Sequence, residues 1–183
     1  MLLALCEAKY MISYRAPLAS EAVALAEHGR LCFSTAFGHT YLPEDLKYFL
    51  DSSYADALVE SRVNDASMQY RIALEHGKII GHCLVGFDVS LDYDPGVHRT
   101  LELKQLYIRP DVIGSGIGAA FMEWVIALAR ARSYDEIILS AWSENFGAQR
   151  FYARFGFEHI GNIFFHVGNQ VDDEFLYRLR LNR

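Results

Sequence analysis

The stretch Leu101–Arg130 constrains the fold more than any other part of the sequence. It begins with apolar residues that predict a strand, continues through a glycine-rich loop, and ends in apolar residues at helical spacing. The glycines of the loop are Gly114, Gly116 and Gly118. A loop of this kind at the start of a helix presents unpaired backbone N–H groups at the positive end of the helix dipole, an arrangement that binds phosphate. The stretch therefore predicts a phosphate-binding loop within an α/β fold.

Two common phosphate-binding motifs fit this loop poorly. A P-loop ends in Gly-Lys followed by Ser or Thr, whereas Gly118 is followed by two alanines. The dinucleotide fingerprint is matched in form by Gly114, Gly116 and Ala119. However, residues 109–113 separate these glycines from the strand, and the next strand begins, rather than ends, with acidic residues. A dinucleotide-dependent oxidoreductase is therefore only a remote alternative.

The rest of the chain predicts strands and helices of an α/β (α+β) fold. Strands are expected at Met11–Arg15, Gln69–Leu74, Ile79–Val89, Leu101–Ile108, Glu136–Ala141, Phe157–Val167 and Glu174–Leu181. Helices are expected from Ser20 towards Phe37 with a break at Gly29, over Pro43–Leu50, over Ala55–Val63, after the glycine loop, and from Asn145 to Phe155. We see no linker or repeat, so residues 1–183 are expected to form a single domain, with residues 1–10 disordered or extended.

A second motif follows the glycine loop and carries a family resemblance. It reads Asn-x-x-Ala-x-x-Phe-Tyr-x-x-x-Gly-Phe, and its residues here are Asn145, Ala148, Phe151, Tyr152, Gly156 and Phe157. Together, the strand, the glycine loop and this motif resemble the Gcn5-related N-acetyltransferase (GNAT) superfamily. The loop motif of the superfamily aligns with residues 113–118, and Ile113 stands where Gln or Arg is customary. The resemblance implies the GNAT fold over nearly the whole chain, with a mixed, mostly antiparallel twisted sheet of about 6–7 strands flanked by helices.

The resemblance also implies an acyltransferase that uses acetyl-coenzyme A (acetyl-CoA) as cosubstrate and an amine as direct attacking group in a ternary complex. In that case Tyr152 donates a proton to the CoA sulfur, and Glu102 removes a proton from the amine. From the residues alone, Glu102 is equally well explained as the outward side chain of an alternating strand, and Asn145 as a helix N-cap. The implied coenzyme-binding residues are Leu106, Tyr107, Ile108, Ile113, Gly114, Ser115, Gly116, Ile117, Gly118, Asn145 and Tyr152.

We expect the acetyl acceptor to be a primary amine, and the sequence favours a small amine or a polyamine. Residues 37–46 and 159–173 resemble the bacterial spermine/spermidine-type N-acetyltransferases. An acidic, aromatic zone for a cationic acceptor is expected among Tyr41, Glu44, Asp45, Asp88, Asp92 and Asp94. A non-catalytic acetyl-CoA sensor and a protein or peptide N-terminal acetyltransferase remain alternatives.

Charge, cysteine spacing and hydrophobicity argue against several other classes of protein. The net charge of −6 argues against nucleic acid as a partner, because phosphate-backbone binding needs clustered Lys and Arg. Cys6, Cys32 and Cys83 are too widely spaced for a metal site, and we expect reduced thiols in a cytoplasmic protein. No apolar run approaches the ~18 residues of a membrane span, so no membrane contact is expected. A homodimer is compatible with the sequence.

Overall fold

The computed structural model of the chain describes residues 12–181. The strands are β1 (Ser13–Arg15), β2 (Met68–Glu75), β3 (Lys78–Gly86), β4 (Thr100–Ile108), β5 (Glu136–Trp142), β6 (Glu158–Val167) and β7 (Gln170–Arg180). The α-helices are α1 (Ala22–Phe37), α2 (Pro43–Ser53), α3 (Asp56–Asn64), α4 (Ile117–Ala131) and α5 (Phe146–Arg154). Residues 1–11, which include Cys6 and the start of the first predicted strand, lie outside the described part.

The strands form one seven-stranded sheet in the order β1-β2-β3-β4-β5-β7-β6. Neighbouring strands are antiparallel except β4 and β5, which are parallel. The β4–β5 pairing runs only from Thr100 with Glu136 to Glu102 with Ile138. Beyond Glu102 the two strands separate, and a gap opens in the middle of the sheet. The prediction of a mixed, mostly antiparallel sheet flanked by helices is confirmed.

Local signals placed the β2–β3 turn and both ends of α5 correctly, whereas β3 ends at Gly86 and not Val89, and β7 begins at Gln170 and not Glu174. The β2–β3 turn contains His76 and Gly77 at φ of 51° and 75°, as a tight hairpin requires. The side chain of Asn145 accepts a hydrogen bond from the Ala148 N–H at 3.0 Å, so the predicted N-cap of α5 is confirmed. Gly156 follows α5 at φ +85°, the left-handed conformation that ends many helices.

Helix α1 differs from the prediction at two points. The break expected at Gly29 was wrong, because α1 is continuous from Ala22 to Phe37. Gly29 instead allows a close contact, since a Cβ there would lie 2.6 Å from two ring carbons of Tyr54. Ser20 does not start the α-helix but lies in a 3-10 turn, where the Glu21 carboxylate accepts a hydrogen bond from the Leu18 N–H at 2.8 Å.

The helices cover both faces of the sheet and enclose separate hydrophobic clusters. On one face, α4 and α5 bury Phe121, Val125 and Tyr152 against β4 and β5. On the other face, α1 and α3 bury Leu25 and Val59 against β2 and β3. The cysteines Cys32 and Cys83 are buried free thiols. Within residues 12–181, no helix has the length and apolar character needed to cross a membrane.

Candidate active site

A cavity of about 1350 Å³ follows the gap between β4 and β5 and reaches both faces of the sheet. On the α4–α5 face its lining includes the glycine loop and Tyr152. On the α1–α2 face its lining is mostly aromatic. The cavity therefore connects the region that the sequence assigned to the coenzyme with an aromatic region on the other face of the sheet.

The glycine loop has the backbone conformation of an anion cradle. Gly114 and Gly116 both have φ of +89°, and a Cβ on either would meet no atom within 4 Å. These glycines are therefore required for their backbone conformation and not by crowding. Helix α4 begins at Ile117, and its first intrahelical hydrogen bond runs from the Ala120 N–H to the Gly116 carbonyl at 3.0 Å. The preceding N–H groups have no side-chain cap and lie at the positive end of the helix.

Residues of the loop and of α5 determine the shape and the charge of the cradle. A Cβ on Gly118 would lie 3.1 Å from Ile108 Cδ1, so this glycine lets α4 approach β4 closely. The Ser115 hydroxyl donates to the Val112 carbonyl at 2.6 Å and holds the loop. Ile113, which replaces the customary Gln or Arg, is 69% exposed at the cavity edge and supplies no polar group. Arg154 at the end of α5 also lines the cavity and brings a positive charge to this side.

Strand β4 presents a free edge to the gap. Leu106, Tyr107 and Ile108 pair with β3 on one side, opposite Cys83, His82 and Gly81 respectively. The backbone groups that do not point towards β3 face the gap, because β5 pairs with β4 only as far as Glu102. A bulge at Lys104, between the pairs Leu103–Val85 and Gln105–Leu84, turns the strand at the point where the gap begins.

Tyr152 lies in the cavity wall with its ring buried to 9% exposure. Phe157 and Tyr177 pack against the ring at centroid distances of 5.8 and 6.1 Å. Burial raises the pKa of its hydroxyl far above the usual value, and the charges of Tyr107 and Glu174 raise it further. Tyr152 therefore keeps its proton at neutral pH, as a proton donor must.

Glu102 also lines the cavity, but its carboxylate is already bound by other groups. The Ser90 N–H donates to Oε2 at 2.6 Å, and the Ser90 hydroxyl lies 2.9 and 3.0 Å from the two oxygens. Lys104 Nζ forms an ion pair with Oε1 at 3.0 Å. The side chain is 3% exposed. In this arrangement Glu102 ties the loop before β4 to the strand.

Behind β4 lies a buried pair of histidines. The Nδ1 atoms of His28 and His82 are 2.9 Å apart, and His82 Nε2 lies 3.2 Å from Gln105 Oε1. Burial lowers the pKa of His28 to about 4 and that of His82 to about 3. Both rings are therefore neutral at pH 7. Among residues 12–181, no group of three or more His, Cys, Asp or Glu side chains is arranged to hold a metal ion.

The α1–α2 end of the cavity is a chamber of aromatic rings. Phe33 packs on Phe49 at 4.5 Å, Phe49 packs on Phe165 at 5.5 Å, and Phe37 meets Trp142 edge-on at 5.9 Å. The acidic residues of this chamber are Asp172 and Glu174 of β7. Both oxygens of Asp172 are bound, one by the Tyr41 hydroxyl and the other by Gln170 Nε2 at 2.7 Å.

The acceptor zone expected from the sequence is mostly not at the cavity. Of its six members, Tyr41 is the one among the lining residues. Asp45 is buried and holds the β6–β7 turn, because its Oδ1 accepts from Asn169 N–H and Nδ2 at 2.9 Å each. The remaining members are exposed and do not line the cavity; they are Glu44, Asp88, Asp92 and Asp94.

Sequence reasoning missed Glu174, Asp172 and Arg154 as cavity residues. Glu174 and Asp172 alternate along β7, so strand periodicity predicts that they share a face, but not which face. Arg154 lies two residues after Tyr152, within the family motif. This closeness to Tyr152 is the sequence feature that could have identified Arg154 as a cavity residue.

Comparison with known proteins agrees with this geometry. The sequence matches the acetyltransferase (GNAT) family over residues 25–157. An uncharacterised N-acetyltransferase of Mycobacterium bovis is 27% identical over 157 residues, which are 86% of this chain and 96% of the relative. The PaiA N-acetyltransferase of Thermoplasma acidophilum, in complex with coenzyme A, superposes with a TM-score of 0.76 at 15% identity, covering 93% of this chain and 99% of its own. An acetyltransferase of Salmonella typhimurium with acetyl-CoA superposes with a TM-score of 0.69 at 19% identity, covering 94% and 95%. These superpositions confirm the predicted fold.

Proposed function

The chain belongs to the acetyltransferase (GNAT) family, and we propose that it transfers the acetyl group of acetyl-CoA to a primary amine of a small molecule. The main support for this proposal is that one continuous cavity connects the glycine cradle, the Tyr152 hydroxyl and an acidic aromatic chamber. A phosphate-binding end, a proton donor and a cation-binding end are the parts that this reaction needs.

Several residues of the chain fit the parts of the coenzyme. The N–H groups at the start of α4, after Gly114 and Gly116, bind the pyrophosphate. The free edge of β4 at residues 106–108 offers backbone groups to the amide-containing arm of the coenzyme, as a neighbouring strand would. Asn145 lines the same wall, where its N-cap bond to Ala148 fixes its position.

Tyr152 is the proton donor in this proposal. The acetyl thioester supplies an electrophilic carbonyl carbon and a thiolate leaving group. The leaving sulfur needs a proton, and Tyr152 holds one at neutral pH because burial raises the pKa of its hydroxyl. Direct attack of the amine fits the site, because the cysteines that the structure describes, Cys32 and Cys83, are buried and have raised thiol pKa values.

The acceptor is proposed to be an alkylamine, and polyamines are within this class. The carboxylates of Asp172 and Glu174 favour a cation, and the rings of Phe33, Phe37 and Trp142 favour an apolar body or a cation over a ring face. A strongly anionic acceptor is disfavoured by the same charges.

Calorimetric titration with acetyl-CoA and with NAD tests the coenzyme half of this proposal. We expect acetyl-CoA to bind and NAD not to bind, because β5, the strand after the loop and α4, does not end in the acidic residue that binds the adenosine ribose of NAD. Binding of NAD without binding of acetyl-CoA would exclude the proposal.

A further inference from the structure

Three carboxylates line the cavity, and they differ in how fully they are hydrogen-bonded. Glu102 is held by Ser90 and Lys104. Asp172 is held by Tyr41 and Gln170. Glu174 differs, because its Oε2 is buried and has no hydrogen-bond partner among the described residues. An unpaired buried carboxylate oxygen lowers stability, and the position of Glu174 in the cavity wall leaves its oxygen available to a bound ligand.

The place of Glu174 in the sheet puts this oxygen at the acceptor chamber. It lies opposite Trp142 of β5 and Ile163 of β6 in the antiparallel pairing. Directly opposite residues share a face, so Glu174 lies on the face where Trp142 meets Phe37 of α1. At Trp142, β5 no longer pairs with β4, so Glu174 lies beside the gap between these two strands.

The polar groups that interact with Glu174 come from β4, β5, β7 and α5 and from the segment after α1. Its charge acts on the hydroxyls of three tyrosines: Tyr41 after α1, Tyr107 on β4 and Tyr152 on α5. Burial raises the pKa of the Glu174 carboxyl, the Ser140 hydroxyl opposes that rise, and the Asp172 charge adds to it. A carboxylate with a raised pKa is better matched to accepting a proton near neutral pH than an exposed one.

On the basis of the proposed function, we propose that Glu174 is the catalytic residue that binds the acceptor ammonium group and removes its proton. An alkylamine has a pKa near ~10 and arrives protonated at neutral pH, so it must lose a proton before it can attack. The unpaired Oε2 accepts that proton. Glu102, which the family resemblance assigned to this step, keeps its bonds to Ser90 and Lys104 instead.

The protons and bonds balance in this scheme. The first proton passes from the ammonium nitrogen to Glu174, which later releases it to solvent. The nitrogen lone pair then forms the C–N bond, and the C–S bond breaks. The thiolate takes a proton from Tyr152, and the second proton lost by the nitrogen restores the Tyr152 hydroxyl. The products are the N-acetylated amine, the free thiol and one proton.

The test compares the pH dependence of kcat/KM for spermidine in four proteins: the wild type, Glu174→Gln, Glu102→Gln and Asp173→Asn. Glu174→Gln is expected to lower kcat/KM at pH 7 by about 10²–10⁴-fold, the usual contribution of a positioned base. Its kcat/KM should then rise about tenfold per pH unit until the amine itself deprotonates near pH ~10, because only neutral amine reacts. The wild type should level off well before that pH.

The other variants serve as controls. Asp173→Asn changes an exposed neighbour on the same strand and is expected to keep the wild-type profile. Glu102→Gln is expected to keep the shape of that profile. The acetyl-CoA dissociation constant of Glu174→Gln should equal that of the wild type, which shows that the variant is folded.

Two results would overturn the inference and leave the proposed function intact. One is a wild-type rate and profile in a Glu174→Gln protein that binds acetyl-CoA. The other is the steep profile appearing in Glu102→Gln and not in Glu174→Gln. Absence of thiol release by the wild type with spermidine and with every other primary amine would instead overturn the proposed function.

Discussion

Replacing Gly116 by Ala tests whether the backbone of the glycine loop, and not its side chains, binds the coenzyme. Gly116 has φ of +89°, and a Cβ there would meet no atom within 4 Å. The cost of the substitution is therefore conformational alone, about 1–2 kcal/mol for a left-handed residue with a Cβ. The loop borders an open cavity, so we expect it to relax out of this conformation in the free protein. Restoring the cradle on binding then raises the acetyl-CoA dissociation constant about 5–30-fold.

Gly96→Ala is the matched control for this prediction. Gly96 also has a positive φ, +57°, with open space around the Cβ position, and it precedes β4 at the end opposite the glycine loop. Calorimetry of acetyl-CoA binding and urea unfolding of both variants separate the two effects. Gly96→Ala should change unfolding and leave the dissociation constant unchanged. An unchanged dissociation constant in Gly116→Ala, or an equal loss in both variants, would refute the backbone cradle.

Two further predictions concern buried titratable groups. Tyr152→Phe should lower kcat strongly and leave the acetyl-CoA dissociation constant nearly unchanged, because it removes the hydroxyl proton and keeps the packed ring. Unchanged turnover in a thiol-release assay would show that Tyr152 is not the proton donor. His28 and His82 are neutral when folded, with pKa values of about 4 and about 3 against an ordinary 6.5, so the folded state binds fewer protons than the unfolded state below pH 6.5. The stabilisation from keeping these rings neutral is complete at about pH 7.5 and above, and it decreases as pH falls, by about 2 kcal/mol per histidine between pH 7.5 and pH 5. Urea unfolding at pH 7.5 and pH 5 measures this decrease, and His28→Gln should reduce it by about half, because His82 remains. An equal pH dependence in the wild type and the variant would contradict the assignment.

The features predicted correctly from the sequence depend on residues that are close together in the chain. The positive φ angles of Gly114, Gly116 and Gly156 and the cap formed by Asn145 each follow from a few neighbouring residues. For that reason, the strand–loop–helix unit and α5 were predicted almost to the residue.

The errors concern contacts between distant parts of the chain. Gly29 was interpreted as a helix break. The structure instead requires glycine there because the ring of Tyr54 packs directly against it. Asp45 was assigned to an acceptor zone, but it binds Asn169 in the β6–β7 turn. Glu174 reaches the cavity because β7 is inserted between β5 and β6, and the sheet order was not predicted.

A thiol-release assay with acetyl-CoA and a panel of acceptors tests the central proposal most directly. The panel contains polyamines, amino acids, aminoglycosides and peptide N-termini, with tertiary amines of similar size as matched negatives. We predict free coenzyme A and an equal amount of N-acetylated product with at least one small primary amine, and neither with the tertiary amines. Acetyl-CoA binding without thiol release for any acceptor would contradict the account and identify the chain as a coenzyme-binding protein without this activity.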